Sequence, residues 1–213
     1  MNFSTRDDSP NGPVRQPDFS TVTLFEQKIA EFFGASYGVA TDSCTSALEL
    51  CLRYTNAKEL WSERHTYVSV PMLAAKLGID LTWKESNWQD CYHVGYRIFD
   101  AAVMWREGSY KDGCFMCISF QYQKHLSLGR GGMILCDNAE AATQLKKMSY
   151  DGRLPGIPWR EQDIDTMGYH YYMTPETAQL GLDKLQAAID TPPRIWSSAD
   201  YPDISKFKVF NNG

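Results

Sequence analysis

The feature that most constrains this chain is the alternation of short apolar runs with segments whose apolar residues recur at helical spacing. The runs are Tyr37–Ala40, Ile79–Trp83, Val94–Phe99 (stopping at Asp100), Phe115–Phe120 and Gly132–Cys136, with Tyr67-Val-Ser-Val as a further strand or strand end. Between them, Val22, Phe25, Ile29, Phe32 and Phe33 share one helical face, and Gly34 is a fitting stop. Helices are also predicted over Ala47–Leu52, Met72–Leu77 and Ala139–Met148. A last one follows Thr174-Pro175-Glu176, where threonine caps, proline suits the first position and glutamate complements the dipole. Its predicted buried face is Ala178, Leu182, Leu185 and Ile189. Strands alternating with helices predict an α/β fold with a largely parallel sheet flanked by helices.

The expected organisation is an extended N-terminal arm over residues 1–22, one α/β domain over 23–190 and a tail over 191–213. A length of 213 residues suits one domain with a sizeable core. A formal charge of -5 argues against nucleic acid or an anionic membrane as the main partner. No apolar run is long enough to span a bilayer, and the first residues show no export signal, so a cytoplasmic protein with reduced thiols is expected. Cys91-x-His93 ahead of Cys114-x-x-Cys117 raises a zinc site. If Phe115–Ile118 is a strand, however, residues three apart diverge, and Phe-Met between the cysteines is a core signature; no metal is expected.

Three segments carry candidate chemistry. Ser43-Cys44-Thr45-Ser46 places small hydroxyl residues at a helix start after a strand, where free backbone N–H groups favour an anion; taken alone it reads rather as a simple N-cap. Asp100 ends a buried strand, where α/β sheets bind ligands, and its burial has to be offset by a cation or by good donors. A protonated heterocycle nitrogen would serve, and so would an arginine or a helix cap. Lys124, on the loop after a strand, can form an imine with an aldehyde cofactor. Ser119 lies five residues earlier, and Gly129-Arg130-Gly131-Gly132 follows.

Taken together and in order, SCTSAL, HTYVSV, IFDAA, SFQYQKHLSLGRGG and GYHYYMTPETAQLGLDKL resemble the DegT/DnrJ/EryC1/StrS family of sugar aminotransferases, from about Phe25 to about Leu185. The resemblance implies the large domain of fold type I pyridoxal-phosphate (PLP) enzymes, and pyridoxal 5'-phosphate as cofactor. Lys124 would be the Schiff-base lysine and the base that moves the substrate proton. Asp100 would pair with the pyridinium nitrogen. Thr45, Ser46 and Ser119 would hold the phosphate, and Tyr67 would stack on the ring. His170 would reach the phosphate of the partner subunit in a homodimer or higher homo-oligomer. The implied activity is amino transfer, with glutamate as donor, to a keto-sugar, nucleotide-linked.

The departures from the family pattern are Cys44, Val103, Arg130 (a charge reversal), His170 and Tyr172. The chain is also shorter than that family, without most of the segment before the aspartate strand or a small C-terminal domain. Two other readings keep the fold. One is a PLP-binding pseudoenzyme; the other is a ketosugar dehydratase-like protein, for which His125 beside Lys124 is the relevant residue.

Overall fold

The computed structural model describes residues 18–211. Most of the expected N-terminal arm lies outside those residues. Its last part is not an arm, because helix α1 spans Ser20–Phe33 and takes in residues expected to be extended. Gly34 closes it in the left-handed conformation at φ 82°.

The remaining elements are β1 (Tyr37–Thr41), α2 (Cys44–Tyr54), β2 (Glu59–Glu63), α3 (Ser69–Leu77), β3 (Asp80–Lys84), β4 (Tyr92–Gly95), β5 (Ile98–Asp100), β6 (Phe115–Ser119), β7 (Gly132–Cys136), α4 (Ala139–Ser149) and α5 (Pro175–Asp190). The five-stranded sheet has the order β1-β7-β6-β5-β4, and β2 and β3 form a separate parallel pair. The α/β class is as expected, but the main sheet is mixed rather than largely parallel. Only β5–β6 pair in parallel, while β1–β7, β7–β6 and β4–β5 are antiparallel. It follows that β1, β5 and β6 run one way, and β7 and β4 the other. The carboxyl ends of β1, β5 and β6 therefore share one edge, where ligands bind in sheets of this kind.

Side chains alternate across the sheet. Phe99, Met116, Ile118, Met133 and Leu135 face α1 and α5; Ile98, Cys117, Ile134 and Cys136 face α2 and α4. Both faces are covered, which is why β7 is buried throughout and reads as an uninterrupted apolar run. The same alternation places Cys117 in one cluster and Cys114 against the other, so these two cysteines diverge.

Three local readings are corrected. Val94–Phe99 is not one strand but a tight reversal: Arg97 has φ 57°, and Tyr96 at the tip is 75% exposed between the buried Val94 and Ile98. Tyr67-Val-Ser-Val leads into α3 and is not a strand; the strand in that region is β2, where Leu60 and Ser62 are buried between glutamates. In α5, Thr174 caps as expected by accepting from Thr177 N at 3.3 Å, but Ile189 is 39% exposed and Gly181 is buried in its stead.

The tail after α5 has only short 3-10 turns and is held by backbone pairing to the segments between β2 and β4. Asp90 N donates to Trp196 O at 3.0 Å, Ser198 N to Trp88 O at 3.0 Å and Ile204 N to Arg64 O at 2.8 Å.

Candidate active site

At the shared carboxyl edge a cavity of about 400 Å³ opens, within the range of small-molecule sites. It is lined by Thr45 from α2, Tyr67 and Ser69 at the entry to α3, Asp100 ending β5, Ser119 ending β6, and Lys124 on the loop beyond. Five residues expected to act together, Thr45, Tyr67, Asp100, Ser119 and Lys124, thus meet in one place although 79 positions separate the first from the last.

The mouth of α2 forms one wall. Ser43 is in extended conformation, and its Oγ accepts from Ser46 N at 3.2 Å, leaving the amides of Cys44 and Thr45 without intrahelical acceptors. Thr45 Oγ1 lies 2.8 Å from Ser69 Oγ, so two hydroxyls meet at the rim. Ser46 is turned away: it is buried, its Oγ lies 2.8 Å from Ser43 Oγ, and it does not line the cavity. Cys44 is tucked under the helix, its Sγ donating to Cys117 O at 3.4 Å, and burial pushes its thiol up. The wall depends on Gly132, which faces both Thr41 and Ser119 across the sheet. A Cβ there would fall 2.4 Å from Cys44 N and from the Ser43 carbonyl carbon.

Asp100 is 5% exposed. Its direct partners are a hydroxyl and an amide rather than a cation: Tyr92 Oη donates to Oδ2, and Ala102 N donates to Oδ1 at 2.9 Å. Thr66 Oγ1 in turn meets Tyr92 Oη. Burial holds the Asp100 carboxyl above the usual range, against the opposing pull of Tyr92, Ala102 and the Lys124 charge. Lys124 is half-buried, and burial lowers its pKa, against the opposing pull of Asp100 and Cys44. Its loop is fixed by Phe120 N to Gly131 O at 3.0 Å, Tyr122 N to Gly129 O at 3.1 Å and Lys124 N to Gln121 O at 2.8 Å.

Sequence reasoning missed the third wall. Tyr92, Trp88 and, from the tail, Trp196, Asp200 and Tyr201 also line the cavity. Tyr92 sits eight residues before Asp100, outside the apolar runs of the sequence; only the β4–β5 reversal pairs the two. Arg130 reaches the rim, with Nη2 2.6 Å from Asp42 Oδ2 and Nε donating to Asp42 O at 3.1 Å. Val103 lines the cavity as well. His125 turns the other way, its Nε2 2.8 Å from Ala188 O on α5. His170 lies outside the cavity, with φ 56°, a side chain 70% exposed and Nδ1 3.0 Å from Asp151 Oδ1.

A lysine and a buried carboxylate thus face one cavity beside a helix mouth, at the carboxyl edge of a helix-flanked sheet. Residues 14–90 and 106–192 match the DegT/DnrJ/EryC1/StrS aminotransferase family, and the chain belongs to that family. The stretch between the two matched segments contains Tyr92 and Asp100.

No curated protein sequence matches the chain. Among solved structures, AtS13 from Actinomadura melliaura is similar with a TM-score of 0.70 at 21% identity, over 82% of this chain and 61% of that one. The sugar aminotransferase CalS13 from Micromonospora echinospora gives 0.68 at 12% identity, over 85% and 63%. The PLP form of Spr1654, a sugar aminotransferase by description, from Streptococcus pneumoniae gives 0.65 at 18%, over 79% and 59%. At these identities the likeness shows the fold, and the chain spans less than two thirds of the length of each. Among the described residues no helix is long and apolar enough to cross a membrane.

Proposed function

We propose that this chain binds pyridoxal 5'-phosphate and transfers an amino group from a donor such as glutamate to a keto-sugar, nucleotide-linked. The observation that carries the reading is the convergence of Lys124, Asp100, Ser119 and the α2 mouth on one cavity. The donor set suits that cofactor: an amine for an aldehyde, a buried carboxylate without a cation as direct partner for a ring nitrogen, and amides with hydroxyls for a phosphate. Bound there, the cofactor would supply an aldehyde that takes up amines and a ring that accepts electrons.

The residues of the chain would do the rest. Burial keeps the Lys124 amine less basic than usual, so a larger share is unprotonated, ready to attack an aldehyde and then to carry a proton. Asp100 would hold a proton on the ring nitrogen, an attraction that offsets the cost of its own burial. Thr45, Ser119 and the free amides of α2 would hold the phosphate, with Ser46 acting through its bond to the Ser43 cap. Tyr67, 56% exposed at the rim, is placed to cover the ring face. His170, exposed and outside its own cavity, would serve a second copy in a cytoplasmic homodimer; a single-chain mass by light scattering at micromolar concentration would remove that role. The dehydratase reading gains nothing from His125, which faces α5.

Borohydride reduction of the protein loaded with the cofactor, followed by peptide mapping, should place the label on Lys124, and Lys124→Ala should lose the colour. Label on Lys111 or Lys146 would overturn the assignment. Loss of the colour on adding glutamate separates a transaminase from a protein that only retains the cofactor.

A further inference from the structure

The roof of the cavity comes from the tail, beyond the residues that match the family. The Trp196 ring has two cations within cation–π reach: the Arg194 guanidinium carbon lies 3.9 Å from its centroid, and Lys124 Nζ 5.5 Å. The indole is not held by a rotamer alone. Trp196 O accepts from Asp90 N and Ser198 N donates to Trp88 O, both at 3.0 Å, while Arg194 pairs with Asp200, whose Oδ2 accepts from Ser197 N at 2.9 Å. Bonds on both sides of the residue therefore fix the backbone from which its ring projects, and Arg194 lies against the ring face.

We propose that Trp196 is a positioning residue for Lys124, its indole closing the cavity over the amine and keeping bulk water away from it. The inference takes Lys124 as the reactive amine of the function proposed above. Two effects of the ring oppose each other. Its face attracts an ammonium, which favours the charged form. Excluding water disfavours that form, and burial is the largest cause of the lowered Lys124 pKa, the direction in which an indole cover would act. The other titratable groups facing this cavity are Asp100 on β5, Tyr92 on β4, Cys44 on α2, Tyr67 before α3, Arg130 before β7, and Asp200 and Tyr201 on the tail. Asp100 and Cys44 pull the Lys124 pKa upward, so they do not account for its depression.

The test uses protein without cofactor. Trace acetylation with acetic anhydride across a pH series, with peptide mass spectrometry, yields the titration midpoint and plateau rate of Lys124, with Lys111 and Lys184 as internal references. In Trp196→Ala the midpoint should rise by about half a pH unit or more, corresponding to about 0.7 kcal/mol, and the plateau rate should increase severalfold. Trp196→Phe, which keeps an aromatic cover, should move less than half as far. A midpoint that stays or falls in Trp196→Ala, or an equal shift in Trp196→Phe, would overturn the proposal. Because no cofactor is present, this outcome is independent of the borohydride result.

Discussion

Two walls of the same cavity are built by different means. The wall of α2, Ser119 and the Lys124 loop is local: each functional group lies within a few residues of a strand end, and a cap or a glycine sets its direction. The facing wall is assembled from a distance. Asp100 depends on a tyrosine brought back by a chain reversal, and the cover over Lys124 comes from a tail 72 residues further on. The first wall lies in the residues that match the family; most of the second does not. An anion site can be encoded by one strand–helix junction, whereas a buried carboxylate needs donors from elsewhere to be tolerable.

This contrast predicts that changes to the backbone frame of the local wall damage folding, while changes to the assembled wall damage chemistry. The largest effect is expected at Gly132. The backbone contacts waiting for a Cβ in Gly132→Ala cannot be relieved by a side-chain movement, so the loss should be about 3 kcal/mol. That corresponds to a fall in melting temperature of about 6–12 °C by differential scanning calorimetry. A variant that melted with the wild type would break the comparison on its local side.

Next comes Asp100→Asn. Turnover with an amino donor should fall about a hundredfold, a few kcal/mol in the transition state, with much less effect on cofactor affinity. Stability should respond differently. A carboxyl raised by burial binds its proton more tightly in the folded state, so stability is greatest below the ordinary carboxylate range and declines as pH rises through the folded pKa. At neutral pH, asparagine removes that cost and still accepts from Ala102, so the variant without cofactor should melt at or above the wild type. Unchanged turnover, with a lower melting temperature, would make Asp100 a strand-end cap instead.

The smallest effect belongs to Tyr92→Phe, which removes one donor from Asp100 and the partner of Thr66 Oγ1 while keeping the wall's outline. A loss of about 1 kcal/mol, roughly fivefold in turnover, is expected. Since the Tyr92 hydroxyl holds the Asp100 pKa down, the acid limb of the pH–rate profile should move to higher pH. An unmoved limb would detach Tyr92 from the carboxylate and leave it a packing residue.

How legible the molecule was follows the same division. Where a signal is local, reading and structure agree: Gly34 closes α1, Ser43 caps α2, Thr174 caps α5, and β7 runs from Gly132 to Cys136 as expected. Where apolar residues carried no direction, the reading failed. Val94 to Phe99 looks continuous because burial on both sides of Gly95-Tyr96-Arg97 hides the reversal, and β2 escaped notice because its glutamates mask two buried positions.

By itself the sequence determined the alternation of elements, the caps, which carboxylate ends a strand and which lysine follows one ahead of a glycine-rich loop, since each depends on backbone preferences a few residues wide. The tertiary structure alone decided that β7 and β4 run against β1, β5 and β6, that Tyr92 serves Asp100, and that Trp196 covers Lys124. Strand direction and contacts of this kind depend on which surfaces find partners once the whole core closes, and no window along the chain contains both sides of such a contact.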